Sequence, residues 1–271
     1  MSDNTLPYLL EPEALANHGT DDSLRIVCLG KREQYLAAHI PGAIYLDVNM
    51  LNRGTKPAPG LLPDIPLIEQ AFQSIGLTLT SHIVCYDDDA GTAGARMMWV
   101  LEAMGHQKQS FLNGGLTAWA ALGLPLQSGS ETVMMSNWTA SPNANVIADK
   151  QYVLDSLNNP EIQILDARTP QEHNGIKSAS ERRGRIPGSA NLNWLDTIDT
   201  NNTRRLRSSD DLEQMLLEKG LDRNKEIITH CQTHQRSSHS FMMLRSLGYN
   251  KVRGYAGSWS EWADDPLLPI E

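Results

Sequence analysis

Only three cysteines occur in 271 residues, at positions 28, 85 and 231, too far apart to suggest a disulfide framework and better suited to reduced thiols. Long apolar runs are missing too. No stretch approaches a membrane-spanning length, and Met1-Ser2-Asp3-Asn4 offers neither the basic nor the apolar region of a secretory leader. The expectation is a soluble, cytoplasmic protein. Positive charge is also in deficit, with 23 Lys and Arg against 32 Asp and Glu and a formal net charge of -9. That balance argues against general nucleic-acid or anionic-membrane binding, so any cation that matters acts locally. Length alone allows one large domain or two of ordinary size.

Internal repetition points to two domains. His39-Ile40-Pro41-Gly42-Ala43 returns as Arg185-Ile186-Pro187-Gly188-Ser189. Gly76-Leu77 followed by Ile83-Val84-Cys85-Tyr86-Asp87 returns as Gly220-Leu221 followed by Ile227-Ile228-Thr229-His230-Cys231, displaced by 144 positions (231 minus 87). Leu112-Asn113-Gly114-Gly115 with Trp119 is echoed by Gly254-Tyr255-Ala256-Gly257 with Trp262. Each copy alternates short apolar strands with amphipathic segments such as 66–75 and 209–219, the pattern of an α/β domain with a small parallel sheet flanked by helices. The division expected is 1–126, a connection over 127–148 rich in Ser, Asn, Thr and Pro, and 149–271. Met134, Met135 and Trp138 are candidates to pack across the domains.

The chemistry centres on Cys231. The β-branched run Ile227-Ile228-Thr229 reads as a buried strand, and after the polar loop Cys231 to Arg236 a helix is expected, with Ser237 and Ser238 as N-caps and Phe241, Met242, Leu244 and Leu247 as its apolar face. A cysteine between a strand end and a helix start faces unpaired backbone N–H groups, which favour an anion. Such surroundings, with a nearby cation, lower a thiol's pKa below its free value of roughly 8.5 and make it a nucleophile. Arg236 closes the loop and supplies that cation, facing either the sulfur or an anionic substrate group. Cys28 and Cys85, inside apolar strands, read as core filling. His230, Cys231, His234 and His239 are close in sequence but match no zinc spacing, so no metal is expected.

Superposing the copies shows which one carries the chemistry. Asp87 stands where Cys231 stands, and Cys28 and Gly30 stand where Asp166 and Arg168 stand. A carboxylate is no sulfur nucleophile, so the first copy is expected to be an inactive, structural half.

Taken together, these motifs resemble the tandem-domain rhodaneses, a sulfurtransferase family. Tyr35 to Leu46, containing His39-Ile40-Pro41-Gly42-Ala43, is similar to the family's first signature, and Val252 to Trp262 to its C-terminal signature. The resemblance implies two rhodanese-type α/β domains with the active cysteine in the second. It also implies transfer of a sulfane sulfur from thiosulfate through a Cys231 persulfide to cyanide or a thiol, without a cofactor. The loop C-Q-T-H-Q-R lacks the cation that thiosulfate-type members often carry just after the cysteine; Gln232 is there, and the charge comes from Arg236. It is similar to the variant in some bacterial tandem rhodaneses, whereas mercaptopyruvate-type loops resemble C-G-S-G-V-T.

Within this reading Gln232, Thr233, His234, Gln235 and Arg236 form the anion-holding loop, and Arg183 and Arg185, with Arg182, are candidate cations at the mouth. Asp166 and Arg168 are expected to brace the strand end, and Trp194 and Trp259 either line the cleft or pack in the core. Alternatives remain: a 3-mercaptopyruvate donor, a persulfide carrier serving a protein acceptor, or a phosphatase. Dual-specificity phosphatases share the fold but place five residues between Cys and Arg; here there are four, giving a smaller anion pocket.

Overall fold

A computed structural model describes residues 6–19, 21–88 and 90–271; Met1-Ser2-Asp3-Asn4 lies outside the described residues. Its strands, in chain order, are β1 Leu9–Leu10, β2 Leu24–Cys28, β3 Ile44–Tyr45, β4 His82–Tyr86, β5 Gln109–Leu112, β6 Ile147–Ala148, β7 Ile162–Asp166, β8 Ala190–Asn191, β9 Ile198–Asp199, β10 Arg205–Leu206, β11 Glu226–His230 and β12 Val252–Tyr255. Two five-stranded parallel sheets result, ordered β1-β5-β4-β2-β3 and β6-β12-β11-β7-β8. Strand for strand, the second repeats the first. β4 and β11 occupy the centre, and their runs Ile83-Val84-Cys85 and Ile227-Ile228 are buried, as strands covered on both faces require.

Helices complete each layer. The expected helices at 66–75 and 209–219 span Ile65–Ser74 and Ser209–Glu218, the second capped by the Ser208 hydroxyl accepting from the Asp211 N–H. Separate cores form on each sheet: Val84, Tyr86, Leu112 and Trp119 in one, Ile228, Tyr255, Trp259 and Trp262 in the other. Full burial of such side chains contributes roughly 1.5–3 kcal/mol each for the aliphatic and Phe-sized members.

The two compact units do not follow the repeat boundaries. One comprises 1–51, 64–142 and 199–206; the other comprises 52–63, 143–198 and 207–271. The segment read as a connection is therefore divided, with its part up to Pro142 folded into the first unit. Trp138 is buried there, edge-on to Phe72 at 5.4 Å, and its carbonyl accepts from Gln73 Nε2, so it packs within that unit. Met134 and Met135 are exposed. Residues 199–206 are tied to the first unit by ion pairs from Arg205 to Glu11 and Glu13, each at 2.8 Å, and by the Leu206 N–H donating to Asn113 Oδ1. No helix among the described residues is long and apolar enough to cross a membrane.

Candidate active site

Cys231 follows the last residue of β11, at the carboxyl end of the central strand of its sheet. The helix after the loop runs from Arg236 to Ser246 and starts earlier than the Ser237-Ser238 pair suggested. Those hydroxyls have other work: Ser237 Oγ lies 2.7 Å from His234 Nδ1, and Ser238 Oγ donates to the His234 carbonyl. They shape the loop from inside its first turn. His234 itself has φ 57°, a left-handed conformation that a non-glycine residue keeps only when its surroundings impose it.

The environment of the sulfur decides its chemistry. Burial pushes the Cys231 thiol up, but the Arg236 charge, hydrogen bonds from the Ser237 hydroxyl and amide, and the Thr233 amide outweigh that effect and leave its pKa below the ordinary thiol value. Burial dominates at the other two cysteines, raising Cys28 to about 11 and Cys85 higher still. All three are free thiols, and Cys231 is the one whose surroundings favour the thiolate.

In the first unit the equivalent cradle holds a carboxylate. Asp87 accepts from the amides of Gly91, Ala93 and Gly94 at 2.8, 2.9 and 3.0 Å. The repeat offset that carries Asp87 onto Cys231 also carries Ala93 onto Ser237 (237 minus 93 is again 144), whose amide bonds the sulfur. The same backbone therefore grips an anion in both copies.

Arg236 is shared between two anions. It hydrogen-bonds Cys231 and also holds Glu172 through Nη1 and Nη2 at 2.7 and 2.9 Å. Despite burial, the Arg236 hydrogen bonds and charge lower the Glu172 pKa to about 2. Glu172 was not foreseen from the sequence. Its local signal is the capping box Thr169-Pro170-Gln171-Glu172, in which the Thr169 hydroxyl and the Glu172 carboxylate cap the short helix Pro170–His173 reciprocally.

Beneath the loop, Asp166 and Arg168 are both buried and paired at 2.7 Å. Register sets Asp166 opposite His230, the residue before Cys231. Arg168 also donates to the Gly184 carbonyl and lies 4.5 Å from the centre of the buried Trp259 ring, while His173 Nδ1 is 2.9 Å from Asp166. Burial drives His230 down to about 4, so it adds its charge beside Asp166 only in acid; at neutral pH hydrogen bonds from His173 and Arg168 and the Arg168 charge hold Asp166 ionised despite its burial. Trp259 is thus a core residue here.

Other residues lie as follows. Gln232 Nε2 donates to Ser180 Oγ at 3.1 Å, and Gln235 Nε2 to Asn52 Oδ1 at 3.3 Å. Trp194 is half-buried, edge-on to His239 at 5.6 Å. Arg183 is exposed. Arg182 donates to the carbonyls of Asp265 and Leu268, and Arg185 pairs with Glu271, so their partners belong to the C-terminal segment. Ser258, also unforeseen, accepts from the Cys231 N–H at 3.3 Å, and the Trp259 N–H donates to the Cys231 carbonyl at 2.9 Å.

Two parallel-sheet units of one topology, with an acidified cysteine in an anion-holding loop of the second and a carboxylate in the first, define a tandem α/β protein built for anionic sulfur or oxygen chemistry. The rhodanese-like domain family matches residues 11–122 and 149–265, so the chain belongs to the rhodanese family. It is 37% identical to thiosulfate sulfurtransferase of Azotobacter vinelandii over 98% of both chains, and 35% identical to that of Pseudomonas aeruginosa over 98% and 97%. The crystal structure of the 3-mercaptopyruvate sulfotransferase SseA from Escherichia coli superposes with a TM-score of 0.84 at 27% identity, covering 93% of this chain and 99% of that one.

Proposed function

We propose that the protein is a thiosulfate sulfurtransferase acting through a Cys231 persulfide. The Cys231 thiolate attacks the outer sulfur of thiosulfate; the S–S bond breaks and its electron pair leaves with sulfite. The persulfide then holds the negative charge where Arg236 and the amides of Thr233 and Ser237 point. A second nucleophile, cyanide or a thiol, takes the outer sulfur and returns the Cys231 thiolate. The observation that carries this reading is the acidity of a buried thiol: only anion-directed groups offset the cost of its burial. Gln232, His234 and Gln235 hold the loop's shape, and Asp166 and Arg168 brace its floor.

Names of the full-length relatives support thiosulfate as donor. Free thiols suit a reducing cytoplasm. A protein thiol is an acceptor of the same chemistry as a small one. The test is intact mass after incubation with thiosulfate: one added sulfur, roughly 32 Da, removed by cyanide and absent in Cys231→Ala. An adduct retained in that variant overturns the assignment.

A further inference from the structure

Residues 52–63 lie in the first repeat by sequence and in the second compact unit by packing. They form a hairpin-like arm. The Arg53 N–H donates to the Leu61 carbonyl at 2.7 Å, the Gly54 N–H to the Pro59 carbonyl at 2.9 Å and the Leu61 N–H to the Ala58 carbonyl at 3.1 Å. The tip, 54–57, is exposed, whereas Ala58 and Gly60 are buried.

Two contacts set the arm against the Cys231 loop. Asn52 Oδ1 accepts from Gln235 Nε2 at 3.3 Å. Gly60 approaches so closely that a Cβ added to it would stand 2.1 Å from the Thr233 carbonyl oxygen and 2.8 Å from that of Ala256. Both neighbours are main chain, which has no rotamer to move into, so any larger residue displaces the arm or the loop. Thr233 is also one of the residues whose amides bond the Cys231 sulfur.

The loop is also held by the turn after β12, whose first residue, Ala256, is likewise approached by Gly60. The Trp259 N–H bonds the Cys231 carbonyl at 2.9 Å, the Ser260 N–H bonds the Gln232 carbonyl at 3.1 Å, and Ser258 Oγ accepts from the Cys231 N–H. The turn therefore holds 231 and 232 while the arm holds 233 and 235. Between the arm's two contacts lies His234, in its left-handed conformation.

We infer that the 52–63 arm, through Gly60 and Asn52, is a positioning element for the reaction: it keeps the Thr233 amide aimed at the Cys231 sulfur and so sets how readily the thiolate forms and attacks its donor. The inference rests on the proposed sulfur transfer for its kinetic arm, while the thiol's titration is independent of it. Hydrogen bonds weaken steeply with misalignment, so a shift of a few tenths of an ångström at Thr233 is felt at the sulfur.

The test uses the full-length protein and the variants Gly60→Ala and Asn52→Ala. Alkylation of Cys231 by iodoacetamide is followed against pH, with kcat/KM for thiosulfate and the melting temperature measured alongside. Gly60→Ala is expected to move the alkylation profile to higher pH and to lower kcat/KM about tenfold or more, the scale of one lost hydrogen bond to a charged group. Asn52→Ala is expected to act in the same direction by about threefold, with the melting temperature unchanged. A folded Gly60→Ala with the native profile and native kcat/KM overturns the inference; should that variant not fold, an unchanged Asn52→Ala overturns it. If the native protein takes no sulfur from thiosulfate yet the profiles shift, the arm's role stands and the donor assignment falls.

Discussion

The guanidinium of Arg236 grips the carboxylate of Glu172 through two hydrogen bonds, at 2.7 and 2.9 Å, while also bonding the Cys231 sulfur. Arg236 and Glu172 therefore act on the thiolate with opposite sign. Arg236→Ala is expected to raise the Cys231 pKa and lower kcat/KM for thiosulfate by roughly ten- to a hundredfold. Glu172→Gln leaves the cation less balanced and is expected to move the Cys231 profile to lower pH. Thiolate absorbance against pH in both variants checks this; shifts of the same sign would mean that the pair merely props the loop.

Donor choice follows from the same charge. Thiosulfate is a dianion and its leaving sulfite stays negative, so a guanidinium beside the breaking bond helps it more than a 3-mercaptopyruvate donor, whose carboxylate is farther away. Thiosulfate is expected to be the better donor, and Arg236→Ala to reduce its rate more than that of 3-mercaptopyruvate. Both are measured with cyanide as common acceptor, and equal losses would refute the argument.

Acid should weaken the fold before it reaches the carboxylates. Burial lowers His82, His230 and His239 to about 4 from an ordinary 6.5. Between those values the unfolded chain binds protons that the folded chain refuses, so stability falls as pH drops from about 6.5 toward 4. The loss between pH 7 and 5 is on the order of 1–2 kcal/mol for each histidine. Urea midpoints at the two pH values measure it, and His239→Leu should remove about a third of the slope or somewhat less, since burial lowers His106 too.

Asp87 offers a control in the first unit. Its carboxylate accepts three amide hydrogen bonds at the start of helix Thr92–Ala103. Asp87→Ala is expected to cost about 1–3 kcal/mol while Cys231 still gains sulfur from thiosulfate. Loss of sulfur uptake in a folded Asp87→Ala would show that the carboxylate does more than cap a helix.

Local pattern made the sheets and the cysteine legible. Ile227-Ile228-Thr229 is β-branched and apolar, so β11 was readable, and the 144-residue offset exposed Asp87 as its counterpart's substitute. The helix start was misplaced because Ser237 and Ser238 have the composition of caps, yet their hydroxyls turn back to His234, a choice made by the loop's tertiary shape. Glu172 and Gly60 act across 64 and 173 positions of sequence (236 minus 172, and 233 minus 60), and nothing local to either announces its partner. Arg182 and Arg185 bond the C-terminal segment, partners equally remote in sequence.

The tie from Arg205 and Leu206 back to Glu11, Glu13 and Asn113 also orders events on the ribosome. All five strands of the first sheet have been synthesised by Leu112, but the clasp arrives 94 residues later (206 minus 112), a delay of about 5–20 s at ordinary elongation rates. Any assembly of the first sheet during that interval takes place unlatched, and its closure waits on translation of most of the second repeat's leading half.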